Sequence, residues 1–414
     1  MTWDIARRRK IAIAFTLSLV AACGPERRDN TGDGGTGQQD APCNTAITGK
    51  VFAPNGTLPL YGVTVYIPGT PPPPFTDGVK CGSCENDLPG GVQTRAESGP
   101  DGSFRVDNVP PGATAQVILT TGKWRRIVSV PVTQCADNPL PDGTFRLPRN
   151  KSEGEIPRIA MVTGALDSLA CIFTKMGVDA NEFGDNSASD KRIIFYTGTG
   201  GASPGTPQNA TALWGNLDEL KKFDAVINSC EGNEYPNNKT SPDLMRQYAD
   251  LGGRVFGSHY HYVWSKTLIP EWQPTATWAT NGSSAAPDYV DQTFPKGMAL
   301  AEWLVNVGAS TTLGQVTGIT GKTPNATVVA PKTRRWIYGS GTPSATHYLS
   351  FDTPVAAPDD QKCGRVVYAG MHISYENNDV DATFPAGCSA GLESDEKALI
   401  FLLFDLGSCT GTIF

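Results

Sequence analysis

The sequence has no excess of positive charge. Its 414 residues carry 34 Lys and Arg against 41 Asp and Glu, which gives a formal net charge of −7 at pH 7. Phosphate backbones and anionic lipid headgroups attract positively charged proteins, so this composition argues against a nucleic-acid partner and against a polybasic membrane surface. Contact with a membrane would need another physical basis.

The N-terminal segment lacks a hydrophobic run long enough for a permanent membrane span. Its uncharged stretch, residues 11–22, has 12 residues, whereas a spanning helix needs about 20. Four cations at 7–10 precede it, which is typical of a secretory signal. Two alanines stand directly before Cys23, and this arrangement resembles the lipobox of bacterial lipoproteins.

That resemblance implies cleavage before Cys23 and acylation of its sulfur and its new amine. Gly24, in place of aspartate, resembles the pattern that sorts lipoproteins to the outer membrane of Gram-negative bacteria. Residues 23–42 are polar and glycine-rich and predict a flexible tether. We therefore expect a protein anchored in the bacterial cell envelope through lipidated Cys23. The alternative is an ordinary cleaved signal in which Cys23 has no role.

Ten cysteines fit an oxidising compartment. Besides Cys23, four lie between residues 43 and 150 and five between residues 155 and 414, so one thiol of the later group is free, paired across domains, or functional. Cys81 and Cys84 form a CxxC without a second ligand pair or a βαβ context, which favours a structural disulfide over a redox or zinc motif. Location in the chain favours these pairs: Cys81 with Cys135, Cys171 with Cys230, and Cys388 with Cys409.

Residues 43–150 alternate short strand-like segments with glycine and proline turns, a pattern that predicts a β-sandwich. The order TGKV at 48–51, GVTV at 62–65, DGSF at 101–104 and VPPG at 109–112 resembles the carboxypeptidase regulatory-like domain. The resemblance implies a transthyretin-like, carbohydrate-binding-like sandwich that serves as an accessory module.

Residues 155–414 alternate hydrophobic strands with helical segments, which predicts a parallel, doubly wound α/β domain. The expected strands are 159–162, 192–196, 224–230, 254–259, 346–351 and 365–368. The expected helices are 166–176, 210–223, 242–251 and one that begins near Ser394.

The run 224–227, followed by 252–256 leading into His259, resembles the class I glutamine amidotransferase-like fold, especially its trehalose-utilisation-like branch. The resemblance implies a flavodoxin-like sheet. In true amidotransferases a cysteine stands between two glycines after this strand, whereas the matching residues 257–261 read GSHYH. We therefore expect a degenerate member without glutamine hydrolysis.

All four histidines lie in the second domain, and three of them follow predicted strands. His259 and His261 are two apart, so on a strand they would face the same way and could share a metal. His372 and an acid, Glu231 or Glu376, would complete the set. The alternative is that these histidines are hydrogen-bonded core or loop residues. The sequence does not identify a cofactor.

Two further groups could carry function. Cys230 could be a thiolate nucleophile beside His259 or His372, although a disulfide is the favoured interpretation. The second group is the aromatic-rich segment 260–278. Exposed aromatic side chains stack on sugars or line interfaces, whereas buried ones form core, and both interpretations remain open for this segment. Its aromatic residues are Tyr260, Tyr262, Trp264, Trp272 and Trp278.

The sequence thus predicts a multidomain envelope lipoprotein in which an N-terminal β-sandwich precedes a doubly wound α/β domain. The favoured hypothesis is a binding or interaction protein, with carbohydrate or another protein as ligand. The competing hypothesis is a secreted hydrolase that uses His259, His372 and Cys230 as catalytic residues, or His259, His261 and His372 as metal ligands.

Overall fold

The computed structural model describes residues 43–81, 88–188, 190–278, 286–316, 326–329, 333–341, 345–372, 384–385, 387–388, 391–408 and 410. Cys23, Cys84, Glu376 and Cys409 lie outside these ranges. Asn44–Phe414 form one compact unit. Within the described ranges, every helix is too short or too polar to cross a bilayer.

Two four-stranded sheets occupy the first part of the chain. One has the order β4-β1-β7, with β8 also paired to β1, and the other has the order β3-β2-β5-β6. In β4, Phe104 and Val106 are buried while the residues between and before them are exposed, as expected for strands covered on one face. The strands are β1 Ala46–Phe52, β2 Thr64–Pro68, β3 Val92–Glu97, β4 Ser103–Val106, β5 Thr114–Thr121, β6 Trp124–Pro131, β7 Asp137–Pro139 and β8 Phe145–Arg146.

A larger twelve-stranded sheet follows, with six helices among the described residues. Its strands are β9 Ile159–Thr163, β10 Phe183–Gly184, β11 Ile193–Thr197, β12 Ala225–Asn228, β13 Arg254–Ser258, β14 Ala276–Trp278, β15 Asp288–Val290, β16 Gln315–Val316, β17 Ala326–Val329, β18 Thr333–Gly339, β19 Thr346–Thr353 and β20 Gly364–Ala369. The helices are α1 Leu169–Lys175, α2 Ala210–Trp214, α3 Leu217–Leu220, α4 Pro242–Asp250, α5 Pro295–Asn306 and α6 Ser394–Gly407. The structure is therefore rich in β-sheet, with few helices.

Part of the larger sheet is parallel. Strands β10, β11, β9, β12, β13 and β20 lie side by side in that order and pair in parallel. In β9, Ile159 and Met161 contribute to one apolar core, whereas Ala160 and Val162 contribute to a second core on the other face. The chain runs from β9 outward to β11 and then crosses back to β12, so the strand order reverses between β9 and β12.

The rest of the larger sheet is antiparallel, which differs from the sequence prediction of a parallel sheet. β19 pairs antiparallel with β20, and β18 pairs antiparallel with β19. Only residues 354–363 connect β19 to β20, whereas a parallel crossover needs about a dozen residues or more. The short connection therefore forces the antiparallel arrangement.

The first apolar core extends from the two small sheets into the larger one. The rings of Tyr61 and Phe401 stack with centroids 5.5 Å apart. Trp124 meets Phe404 edge-on, and Trp303 Nε1 donates a hydrogen bond to the carbonyl oxygen of Pro59 over 2.8 Å. Helices α5 and α6 therefore pack directly on the N-terminal sheets.

The disulfides correct all three pairs that chain location favoured. Cys81 pairs with Cys363, and Cys171 pairs with Cys388. Cys230 is a buried free thiol. The Cys81 pair was wrong because it assumed that residues 43–150 close on themselves, whereas the shared core brings Cys81 against Cys363. The other two pairs were wrong because Cys171 and Cys388, each assigned to a different partner, pair with each other.

Asp395, in the first turn of α6, generates a prediction about stability and pH. Burial, with the nearby carboxylate of Glu396 adding to it, raises the pKa of Asp395 to about 6. A carboxyl with a raised pKa in the folded state favours folding while it is protonated, and this contribution is lost as the pH rises through the folded-state pKa. We expect Asp395→Asn to stabilise the protein by about 1–3 kcal/mol more at about pH 7.5 than at about pH 4.

Urea unfolding under non-reducing conditions measures this difference. Asp218→Asn is the matched control, because Asp218 stands in the first turn of α3 with its side chain 87% exposed. The control should change stability by less than about 0.5 kcal/mol at either pH. Equal effects of Asp395→Asn at the two pH values would contradict the prediction.

Candidate functional site

Four parallel strands bring their carboxyl ends together at one edge of the larger sheet. Asp167 follows β9, Cys230 follows β12, Ser258 ends β13 with His259 after it, and His372 follows β20. We call these five residues the Asp167 cluster. The crevice between β9 and β12, where the strand order reverses, is where open α/β sheets generally bind ligands.

Asp167 lies at the centre of the cluster and is 3% exposed. Its carboxylate accepts hydrogen bonds from the backbone N–H of Cys230 at 3.0 Å, from the hydroxyl of Ser258, and from Nδ1 of His372 at 3.2 Å. Burial acts to raise the pKa of Asp167, but these interactions outweigh it and hold the pKa below its ordinary value. The site therefore contains a fixed, ionised carboxylate.

Cys230 and His259 are in contact but do not form a charged pair. Cys230 Sγ lies 3.5 Å from His259 Nδ1 and accepts the backbone N–H of Gly232 at 3.4 Å. Burial, reinforced by Asp167, raises the pKa of Cys230 to about 12. Burial and the neighbouring His372 lower the pKa of His259 to about 3. Both groups are therefore neutral near pH 7, unlike the thiolate–imidazolium pair of a typical cysteine nucleophile.

The backbone places the His259 ring over the site. Its φ of 35° lies in the left-handed region, which a residue with a side chain adopts only when the surrounding structure enforces it. β13 ends at Ser258, and His259–Tyr262 form a single 3₁₀ turn. As a result, the His259 ring meets the His372 ring edge-on, with centroids 4.6 Å apart.

His261 does not join the cluster. Their spacing predicts His259 and His261 on one face of a strand, but the strand ends at Ser258 and the 3₁₀ turn rotates the two side chains apart. Trp264 Nε1 donates to His261 Nδ1 at 3.2 Å, and the other ring nitrogen lies 2.9 Å from the carbonyl oxygen of Ser229. Burial lowers the pKa of His261 to about 4. The ring is thus neutral, with both nitrogens occupied.

Three cluster residues could hold a metal ion. Cys230, His259 and His372 each present one ligand atom within 4.8 Å of the other two. Cys230 therefore takes the place of His261 in the ligand set that the sequence predicts. Of the two acids considered as further ligands, Glu231 is hydrogen-bonded elsewhere, and Glu376 lies outside the described residues.

Glu231 belongs to a buried ion pair that braces the loops around the site. Lys239 Nζ donates to Glu231 Oε2 at 2.6 Å, and the two side chains are at most 1% exposed. The backbone N–H of Thr199 donates to the other carboxylate oxygen at 2.8 Å. Lys239 also donates to the carbonyl oxygen of Glu234 and lies 4.8 Å from the centroid of the Trp214 ring. This pair fixes the loop that follows Cys230.

The aromatic segment divides between core and surface. Tyr260 and Trp278 are partly exposed, and the Tyr260 ring packs on the His259 ring with centroids 3.9 Å apart. The remaining three side chains are at most 3% exposed and belong to the core: Tyr262, Trp264 and Trp272. Only the first two can offer a ring face to a ligand.

Asp167 and Ser258 were missed by the sequence analysis. Asp167 stands four positions after the last residue of β9, and Ser258 is the last residue of β13. Their positions at the carboxyl ends of parallel strands were the available signal, but serine and aspartate are also common loop residues.

No protein family matches the sequence, and no curated protein matches it. Among solved structures, the chain aligns with two mutants of a type II cohesin–X-dockerin complex from Acetivibrio cellulolyticus. The C-terminal interface mutant is 18% identical over 35% of this chain and 78% of that chain, with a TM-score of 0.17. The N-terminal interface mutant is 17% identical over 33% and 85%, with a TM-score of 0.19. Scores this low carry no argument about function.

The buried ion pair generates a prediction about stability. Lys239→Met leaves the Glu231 carboxylate buried without its counter-charge, which should lower the free energy of unfolding by about 3–5 kcal/mol. Adding Glu231→Gln removes the stranded charge, so the double variant should recover much of the loss. Denaturant unfolding measures each change.

Lys221→Met is the control, because Lys221 forms an ion pair with Asp218 on the surface and should contribute less than about 1 kcal/mol. If Lys239→Met cost no more than Lys221→Met, the pair would not brace the site.

Proposed function

We propose that this protein is a lipid-anchored hydrolase of the bacterial cell envelope. In this proposal Cys23 carries the anchor and residues 43–150 form a transthyretin-like accessory domain. Residues 155–414 form a degenerate amidotransferase-like α/β domain, with the Asp167 cluster as its active site. The hydrolase was the competing hypothesis from the sequence, and the convergence of the cluster at the carboxyl edge is the observation that now favours it.

The position of the cluster supports an active site. Burying an ionised carboxylate costs several kcal/mol unless it is well paired, and Asp167 is buried where the strand order reverses. His259 adopts a strained backbone conformation at the same place, and such strain often accompanies function. His259 also occupies the position at which the amidotransferase pattern would have its cysteine.

The proposed chemistry uses water as the nucleophile. Asp167 accepts a hydrogen bond from Nδ1 of His372 and thereby orients the ring so that its other nitrogen points away from Asp167. The imidazoles of His259 and His372 activate a water molecule by accepting a proton from it. The water oxygen bonds to the electrophilic atom of the substrate, the bond from that atom to the leaving group breaks, and the imidazole passes the proton on to the leaving group. The raised pKa of Cys230 argues against a resting thiolate nucleophile.

Carbohydrate remains the proposed substrate class. The supporting feature is Tyr260, which is partly exposed and packs on the His259 ring, so a sugar ring that stacks on Tyr260 would lie beside the cluster. The favoured hypothesis from the sequence, a binding protein, would use the same aromatic face without hydrolysis.

An activity screen tests the hydrolase. The full-length chain in detergent is assayed with nitrophenyl esters, phosphates and glycosides. We expect turnover of at least one class and a loss of kcat/KM of about 100-fold or more in His372→Ala. His347→Gln is the control, because His347 is a buried histidine of β19 outside the cluster. Turnover that is unchanged in a His259→Ala/His372→Ala variant, or none with any substrate, would refute the proposal. Mass spectrometry after a denaturing quench should find no acyl adduct on Cys230.

Detergent partitioning tests the anchor. The full-length chain produced in a Gram-negative bacterium should enter the detergent phase of a Triton X-114 extract and incorporate labelled palmitate, because multiple acyl chains hold a protein stably at a membrane. Cys23→Ser should do neither. If both proteins stayed in the aqueous phase, the N-terminal segment would be an ordinary cleaved signal.

A further inference from the structure

We propose that Cys230, His259 and His372 bind one zinc ion, with Asp167 as the residue that orients His372. This inference deepens the proposed function and rests on it for its role in catalysis: with His259 and His372 as ligands, a bound zinc ion would replace them as the group that activates water. The binding itself is argued only from the arrangement of the described residues.

The ligand atoms have the spacing that a tetrahedral zinc site needs. Zinc binds thiolate sulfur at about 2.3 Å and imidazole nitrogen at about 2.0–2.1 Å, which places S and N about 3.6 Å apart. Cys230 Sγ and His259 Nδ1 are 3.5 Å apart. A ligand atom of His372 lies within 4.8 Å of both. A side-chain shift of about 1 Å therefore completes the three-ligand set.

The His372–Asp167 contact is the arrangement that metal-binding histidines commonly use. A ligating imidazole generally donates its other N–H to a carboxylate, which fixes the tautomer and the ring orientation. Here Nδ1 of His372 faces Asp167 at 3.2 Å, so the other nitrogen is the ligand. Asp167 is held in turn by the N–H of Cys230 and the hydroxyl of Ser258. Asp167, which orients the ligand His372, is thus hydrogen-bonded to the backbone of a second ligand, Cys230.

The donor types select the class of ion. Two imidazoles and one thiolate suit zinc and other first-row transition ions, whereas magnesium and calcium require oxygen ligands. Three protein ligands with a fourth position for water are typical of catalytic zinc, and structural zinc sites have four protein ligands. Cys230 is a free thiol, whereas Cys81 and Cys171 form disulfides with Cys363 and Cys388. Its free state is consistent with its use as a ligand.

Metal binding can be measured without any assay of hydrolysis. The full-length chain in detergent is freed of metal with dipicolinate and titrated with zinc chloride in a calorimeter, and with cobalt chloride under an absorption spectrometer. We expect about one ion per chain. The cobalt form should show a sulfur-to-cobalt charge-transfer band in the near ultraviolet, which requires the Cys230 thiolate. This spectrum tests the wild-type chain and does not depend on a variant folding.

Variants then assign the roles. Cys230→Ser should abolish the charge-transfer band and weaken zinc binding by more than about 10-fold, and Asp167→Asn should weaken it by about 10–100-fold while retaining the band. His347→Gln, outside the cluster, should bind zinc within about 2-fold of wild type, which is below the effect expected at the site. Circular dichroism verifies that each variant is folded.

Failure of zinc to bind, a cobalt spectrum without the thiolate band, or copper in place of zinc in the protein as purified would overturn the inference. Zinc binding without turnover of any substrate would support the zinc site and refute the hydrolase. Turnover that persists in the metal-free protein would support the hydrolase and overturn the catalytic zinc.

Discussion

The buried carboxylate of Asp167 is the constraint on which the site depends. A charge in this position is tolerated only because donors from three other strand ends surround it: the N–H of Cys230, the hydroxyl of Ser258 and a ring nitrogen of His372. The need to satisfy one anion therefore fixes the relative positions of four strand ends. It also orients the ring of His372 through its Nδ1, and it links that ring to the backbone of Cys230.

The hydrophobic pattern of the sequence predicts where these parallel strands lie, but it does not predict the directions of the side chains at their ends. β9, β11, β12, β13 and β20 are hydrophobic runs bounded by turn residues, so they lie close to their predicted ranges. His259, His372 and Cys230 could be named because they follow those strands. A period of two on a strand predicts His261 beside His259, but the strand ends at Ser258 and a 3₁₀ turn begins at His259, so neither histidine lies on the strand. Asp167 could not be distinguished from an ordinary loop aspartate, because the donors that surround it are distant in sequence.

The disulfides and the antiparallel strands also depend on partners that are distant in the sequence, which a local pattern does not identify. β15, β16 and β17 have two to four residues each, and in the longer β18 Arg334 and Arg335 interrupt the apolar pattern. Their pairing is determined by neighbouring strands, which a local pattern does not record. The cysteine partners depend on a core that joins the N-terminal sheets to α5 and α6. An assignment that treated the two halves as separate could not find Cys81 beside Cys363.

That pairing has a consequence for biogenesis. The two cysteines are separated by 282 positions, so a chain that emerges from its N-terminus exposes Cys81 long before its partner exists. During that interval the thiol must avoid the other cysteines that appear first. A chain cut short before residue 363 would keep an unpaired thiol near its beginning. A reactive thiol at Cys81 would therefore distinguish an incomplete chain from a complete one, in which Cys81 is in a disulfide.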